Sequence, residues 1–319
     1  MRVCRYQDDS GLRTGFYGDN HVISLLATAD HYKQSTGKEL VFSPGDDLLT
    51  LLPAGGEEHE TAVQLDAWLN EQDEADVAVI RQPVETVQLL VPVPRPNKLF
   101  LLAGNYAKHI EEGGGIAAER AETFPYVFMK PPSTTLTNPG APVRIPQVSS
   151  ATTDWELELA IVIGKGGKGI READALGHVA GYTVINDISD RKFRPNPDRK
   201  PREKDGFFDW LHGKWHDSFC PCGPCITSSH AIADPQQLKL TLSVNGTVRQ
   251  DSSTAHQIFP VAAIIEFISS FVTLEPGDMI STGTPAGVGN TTGTYLQPGD
   301  EVEAVISEIG RLVSPVVAE

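Results

Sequence analysis

The stretch Glu156-Leu-Glu158-Leu-Ala-Ile-Val-Ile163 sets two carboxylates into an apolar run. Side chains alternate along a β-strand, so Glu156 and Glu158 fall on one face and Leu157, Leu159 and Ile161 on the other. Carboxylates spaced roughly 6–7 Å along one strand face repel each other unless positive charge sits between them. A solvated strand face is the bland reading of E-x-E, but this run is too apolar for a casual surface strand. A hard cation that prefers oxygen ligands, Mg²⁺, Mn²⁺ or Ca²⁺, resolves the conflict. Asp187, after Val184-Ile185-Asn186, offers a third carboxylate.

His109 and Glu112 lie three residues apart. On one helical turn they share a face, and the carboxylate then orients and polarises the imidazole. Such a pair beside a metal is suited to taking a proton from water. Gly113-Gly-Gly115 follows as a flexible hinge. Lys130 and Lys214 are candidate cations, and Trp210, Trp215 and Phe219 set Lys214 apart from an ordinary solvated lysine. Thr284 sits in a Gly-rich turn whose backbone N–H groups could hold a carboxylate.

The elements that must position these residues are mostly strands. Residues 1–91 read as a small αβ unit, with strand-like runs around Val3 and Tyr6, from Gly15 to Tyr17 and from Val22 to Leu26, and a helix from Glu57 to Gln72. Val91-Pro-Val-Pro-Arg-Pro-Asn97 continues neither a helix nor a central strand, so 92–97 reads as a linker to a second domain over 98–319. There, Leu99 to Leu102, Glu156 to Ile163 and Val179 to Ile185 read as strands, and Leu238 to Arg249 as a hairpin turning at Asn245-Gly246. Ile258, Val261, Ile264, Ile265 and Ile268 have helical spacing, and Val302 to Ile306 and Leu312 to Val316 close the chain as strands. Many strands with few long helices predict a β-rich α+β fold.

Thr153-Asp-Trp-Glu-Leu-Glu-Leu-Ala-Ile-Val-Ile-Gly164 and Gly181-Tyr-Thr-Val-Ile-Asn-Asp-Ile-Ser189 together resemble the core of the fumarylacetoacetate hydrolase family. Gly104-Asn-Tyr-Ala-Lys-His-Ile-Glu-Glu112, Phe128-Met-Lys-Pro-Pro-Ser133, Lys214 with its neighbours, Gly223-Pro224 and Ser281-Thr-Gly-Thr-Pro-Ala-Gly-Val-Gly289 follow the family's order. The resemblance covers about 97–319. It implies a mixed β-roll catalytic domain, a homodimer, and Mg²⁺ or Mn²⁺ held by Glu156, Glu158 and Asp187. It also implies His109 with Glu112 as the base, on a segment that closes over substrate, and Lys214 as the cation that stabilises an oxyanion. Tyr106, Lys130, Arg191 and Thr284 are then expected to contact substrate. One departure stands out. Family members commonly carry Arg-Asp-x-Gln after the Asn-Asp pair, whereas Arg191 here is followed by Lys192, Phe193 and Arg194. Residues 191–204 hold seven Lys or Arg, which reads as a solvated loop or as a lid that attracts an anionic substrate.

Composition limits the partners. The 319 residues, 40% of them hydrophobic, carry 42 acidic against 26 basic side chains, a formal charge of -16. That leaves no excess cation for nucleic acid phosphates or an anionic membrane. The N-terminus has no apolar run of a signal peptide, no stretch approaches the roughly 18 apolar residues of a membrane span, and four cysteines are too few for a disulfide framework. A cytoplasmic protein is expected. Cys220, Cys222 and Cys225 resemble half a zinc site, but Cys4 is far away, and they read as structural thiols.

The expected activity is metal-dependent hydrolysis of a C–C bond in a 1,3-diketo acid of the acylpyruvate type. Isomerisation or decarboxylation of a similar 2-oxo acid, such as a hydroxymuconate or oxaloacetate, is the alternative. A noncatalytic metal-stabilised binding protein ranks lower, because His109 and Glu112 are both present.

Overall fold

Leu157–Ile163 is a strand, but it is buried on both faces. In the computed structural model, which describes residues 1–319 apart from 41, 43 and 44, Leu157, Leu159, Ile161 and Ile163 join a core with Leu240, Leu242, Val302 and Leu312. Ala160 and Val162 face the other way, into a second core with Leu25, Leu48 and Leu65. The N-terminal helices cover the face that also carries Glu158, and a strand covered twice must be largely apolar on both sides. Removing a fully buried Leu or Ile from water contributes roughly 1.5–3 kcal/mol, so this strand anchors both layers.

The large sheet runs in the order Arg81–Pro83, His21–Ser24, Gly11–Tyr17, Arg2–Asp8, Cys220–Ser228, Val179–Asn186, Leu157–Ile163, Met279–Ser281, Leu99–Ala103, Tyr126–Met129. A second sheet of five strands, Thr247–Ser253, Lys239–Val244, Glu301–Ile306, Gly310–Ala318 and Val143–Ile145, packs against it. Helix Val261–Phe271 adds Val261, Ile264, Ile265 and Ile268 to the core between them, the face read from their spacing. The fold is α+β and rich in sheet.

The sequence places a boundary at 92–97, yet hydrogen bonding does not stop there. Arg2 pairs with Thr227 and Val3 with Ile226, so the N-terminal strands extend the sheet that carries Glu158. The run from Val22 to Leu26 is also divided differently from its reading as one strand. His21–Ser24 is the strand, and helix Leu25–Thr36 begins at once, with Ser24 as its N-cap and Gly37 ending it at φ 71°. The hairpin turns as its residues dictate, with Asn245 at φ 51° and Gly246 at φ 74°. Cys220–Ser228, read as a loop with structural thiols and the Gly223-Pro224 motif, is instead the central strand on which the two halves of the sheet meet.

Candidate metal centre

The register of two strands builds the acidic cluster. Glu158 pairs with Ile185 and Leu157 with Asn186, so Asp187, two residues beyond Ile185, returns to the face of Glu158. The Asp187 amide donates to the Glu156 carbonyl at 2.8 Å, and the Glu156 amide donates to Asn186 Oδ1 at 2.9 Å. One carboxylate oxygen from each of Glu156, Glu158 and Asp187 lies within 4.8 Å of the others, and all three side chains are buried.

Three cations surround the cluster. Lys214 Nζ reaches Asp187 Oδ2 at 2.6 Å, Glu156 Oε2 at 2.9 Å and Ser189 Oγ at 2.8 Å. It lies 5.1 Å from the Phe128 ring centroid and 5.6 Å from that of Trp210, whose rings shield it. Burial works against its charge, but Asp187 and Glu156 outweigh burial and hold it protonated. Lys130 is fully enclosed, donating to Asp187 and to the carbonyls of Ile188 and Phe219. Arg191 lies 2.6 Å from Glu156 Oε1 and 2.7 Å from Asp154 Oδ2.

Glu158 differs from its neighbours. Its Oε2 accepts from Ser281 Oγ at 2.6 Å and from the Gly283 amide at 2.8 Å, but it has no cationic partner among the described residues, and its buried Oε1 accepts no hydrogen bond. Burial, reinforced by the charges of Asp187 and Glu156, raises its pKa well above the ordinary carboxylate value. Burial acts the same way on Glu156, yet Lys214 and Arg191 prevail and hold that group well below the usual range. A buried acceptor left unsatisfied among like charges is what a hard cation relieves, and three carboxylate oxygens are the donor set that Mg²⁺ or Mn²⁺ takes. The residues fit the ion.

Helix Ala107–Glu112 carries the acid–base pair. His109 Nδ1 lies 2.9 Å from Glu112 Oε1, and both side chains are about one-fifth exposed. The Gly287 amide donates to both Glu112 oxygens, at 3.1 and 2.9 Å. Gly287 sits at φ 105°, and a Cβ there would meet the Arg249 carbonyl oxygen at 2.1 Å, so glycine is required for that N–H to point at Glu112. With Nδ1 engaged, Nε2 is the ring's working edge, and His109 is close enough to Glu156 that a positive charge formed on the ring would favour the carboxylate.

Of the expected substrate contacts, Lys130 and Arg191 are committed to carboxylates of the cluster. Thr284 is committed too: its hydroxyl donates to the Leu157 carbonyl at 3.0 Å and accepts from Gln250 Nε2 at 2.9 Å. The carboxylates held by that glycine-rich turn belong to the protein itself: Glu158 through Gly283, Glu112 through Gly287 and Asp154 through Gly289. Tyr106 is 1% exposed with its hydroxyl unpartnered, near enough to Glu158 to feel its charge. The basic segment is partly self-neutralised, because Arg199 bonds Asp205 and Asp209 and Arg202 bonds Asp205, the acids lying on helix Asp205–His212. The three thiols of the Cys220–Ser228 strand are free and fully buried, and burial raises each, Cys220 to about 12.

Sequence reading gave no role to Asp154, Ser281 or Gln250. Asp154 and Ser281 stand inside stretches quoted for the resemblance, where only their neighbours drew attention. Gln250 has no such signal. It reaches from the outer hairpin to the Leu157 amide, Thr284 and the Pro285 carbonyl.

Comparison with known proteins bears on this geometry. The family model described as fumarylacetoacetate (FAA) hydrolase, C-terminal, matches residues 98–317. The mitochondrial oxaloacetate tautomerase FAHD2A of Bos taurus is 39% identical over 258 residues, 77% of this chain and 78% of that protein. Among solved structures, maleylpyruvate hydrolase of Sphingobium sp. SYK-6, in complex with manganese(II) and pyruvate, superposes with a TM-score of 0.70 at 28% identity, covering 100% of this chain and 99% of that one. Fumarylacetoacetate hydrolase of Exiguobacterium antarcticum gives 0.74 at 30% identity, with 100% of both chains covered. Among the described residues no helix is long and apolar enough to cross a membrane.

Proposed function

We propose, from the premise that the chain belongs to the fumarylacetoacetate hydrolase family, that it is a divalent-metal-dependent enzyme interconverting the keto and enol forms of a short 2-oxo acid of the oxaloacetate kind. The observation that carries this reading is the His109–Glu112 pair beside three buried carboxylates, one of which keeps an unsatisfied oxygen.

A divalent cation held by Glu156, Glu158 and Asp187 would supply a Lewis acid for the 2-oxo acid's keto oxygen. His109 Nε2 takes a proton from the carbon beside the keto group. Glu112, fixed by the Gly287 amide, holds the Nδ1–H and stabilises the imidazolium that forms. Lys214, shielded by Phe128 and Trp210, adds positive charge near the developing oxyanion. Return of the proton to oxygen or carbon gives enol or ketone.

Hydrolysis of an acylpyruvate C–C bond, which the sequence alone places first, is the second reading. The likeness to a maleylpyruvate hydrolase holding manganese and pyruvate favours it. It uses the same groups, with His109 taking its proton from water. The tautomerase relative is more similar in sequence and sets the order. Decarboxylation is the competing fate of the same acid. We take the enzyme as a cytosolic homodimer, which light scattering and cell fractionation check; the tautomerase relative is mitochondrial.

The test supplies chelator-stripped protein with Mg²⁺ or Mn²⁺ and freshly dissolved enol-oxaloacetate, following the enol absorbance, with acylpyruvates run in parallel and products identified by mass spectrometry. Ketonisation above the spontaneous rate, lost on adding chelator and in Glu158→Ala, supports the first reading. Faster release of pyruvate from an acylpyruvate selects the second. Inactivity on both classes with metal present overturns the assignment.

A further inference from the structure

Asp154 is fully buried and makes more polar contacts than any acid–base mechanism at His109 requires. Its Oδ1 accepts from the Gly289 amide at 2.7 Å and the Trp155 amide at 2.8 Å. Its Oδ2 accepts from the Asn290 amide at 2.9 Å and Arg191 Nε at 2.7 Å. On one side, therefore, Asp154 holds the guanidinium that lies 2.6 Å from Glu156. On the other it holds the loop whose Gly287 amide grips Glu112, the partner of His109. The same loop is tied a second time, by Trp155 Nε1 donating to the Gly287 carbonyl at 3.1 Å. It has no slack: a Cβ on Gly289 would lie 1.9 Å from the Thr294 carbonyl oxygen and 2.8 Å from Asp154 Oδ1.

We infer that Asp154 is a positioning residue that sets the base against the metal cradle, by joining Arg191 and Glu156 to the loop that carries Glu112. The inference rests on the reading of His109 as the acid–base group. Neither His109 nor Glu112 hydrogen-bonds to Glu156, Glu158 or Asp187, so the two halves of the site meet through this loop, which also grips Glu158 by the Gly283 amide; Asp154 is the side chain that ties it to Arg191 and Glu156. Asp154→Asn keeps the side chain's shape but presents an N–H₂ toward Arg191 Nε or toward the loop amides, where only an acceptor fits. The loop and the imidazole then drift, and a misplacement on the scale of an ångström lowers turnover without removing any reacting group.

The experiment is a double-mutant cycle on the full-length protein with Mn²⁺. Asp154→Asn alone is expected to lower kcat on the order of 10–100-fold. In the Glu112→Gln background, where His109 has already lost its charged partner, the same change is expected to alter kcat within about twofold. A second readout needs no turnover. In ¹H–¹⁵N spectra of the imidazole nitrogens, the His109 signal, assigned with His109→Gln, moves in Asp154→Asn toward its position in Glu112→Gln. If the wild type turns over no substrate, the proposed function fails and this readout still judges Asp154. Should Asp154→Asn not fold, Asn290→Pro removes the amide that Oδ2 accepts together with the side chain that Tyr295 bonds, and Asn290→Ala removes the side chain alone; the same displacement of the His109 signal is expected in the first and not in the second. Equal kcat losses in both backgrounds, or a His109 signal unmoved in a folded variant, overturn the inference.

Discussion

Glu158→Gln tests the metal centre through stability rather than turnover. The glutamine oxygen can keep the bonds from Ser281 and Gly283, while its N–H₂ takes the place of the unpartnered Oε1, facing Glu156 and Asp187. A buried unsatisfied acceptor costs about 1–3 kcal/mol, so the metal-free variant should be more stable than the metal-free wild type by that amount. At about 2 °C per kcal/mol for a chain of this size, its Tm should rise by about 2–6 °C. The gap depends on pH. Burial and the neighbouring charges raise Glu158 above the 4.5 of an ordinary glutamic acid. A group raised in the folded state contributes stability that is complete below the unfolded pKa and is lost as pH rises through the folded one. The wild type therefore falls behind the variant as pH climbs above about 4.5, and the two converge in acid. Metal reverses the ranking. At a hundred times Kd, Mn²⁺ should stabilise the wild type by about 2.7 kcal/mol, or about 5 °C, and leave the variant unmoved. Differential scanning calorimetry at pH 5, 6.5 and 8, with chelator and with MnCl₂, reads all of this. A metal-free variant that melts below wild type at pH 8, or one that Mn²⁺ stabilises equally, refutes the reasoning.

His109→Ala should leave Mn²⁺ affinity and oxalate binding within about twofold of wild type while kcat falls roughly 10²–10⁴-fold, with Glu112→Gln falling less; calorimetric titration beside steady-state assays measures both, and joint loss of metal and activity would make His109 structural or a ligand. Gly287→Ala forces φ 105° on a residue with a Cβ directed at the Arg249 carbonyl, so it should lower stability by about 1–3 kcal/mol and reduce kcat through Glu112. A variant with unchanged kcat would detach that loop from the base. Cys220, Cys222 and Cys225 should resist a thiol-disulfide reagent at pH 8 until the chain unfolds, since burial keeps them protonated; rapid labelling of native protein, or stoichiometric zinc, would count against it.

The carboxylate cluster was legible in the sequence because strand periodicity ties Glu156 to Glu158, and the apolar run ending at Ile185 delivers Asp187. Other elements were legible from different local signals: the 261–271 helix from its apolar spacing, although Ile258, read with it, lies before its first turn, the 239–253 hairpin from Asn245-Gly246, and the 179–186 strand from a largely apolar run. What was not legible depends on contacts distant in sequence. Nothing near Leu159 announces that helices from residues 25–70 will cover its strand's second face. Nothing in residues 191–204 shows that Arg199 and Arg202 will be neutralised by acids on the following helix. Gln250 is the clearest case, a surface-looking residue on an amphipathic strand until another sheet closes over it. Ser24 was a local signal passed over: an N-cap inside a run of hydrophobic residues, which shortened one strand and began a helix.

The pairing of Arg2 and Val3 with the 220–228 strand separates what is shared from what folds. The family model's match begins at residue 98, and a cut there looks natural on inspection of the chain. Such a fragment would lose the neighbour of its central strand on one edge and the helices over Ala160 and Val162 on one face, leaving a long apolar edge free to recruit another chain. The catalytic segment and the first ninety residues therefore share one sheet. Recombination that exchanged the N-terminal segment between relatives would have to preserve a strand register as well as a linker. A substitution before residue 92 that breaks this pairing is felt at the strand that neighbours the one carrying Asp187.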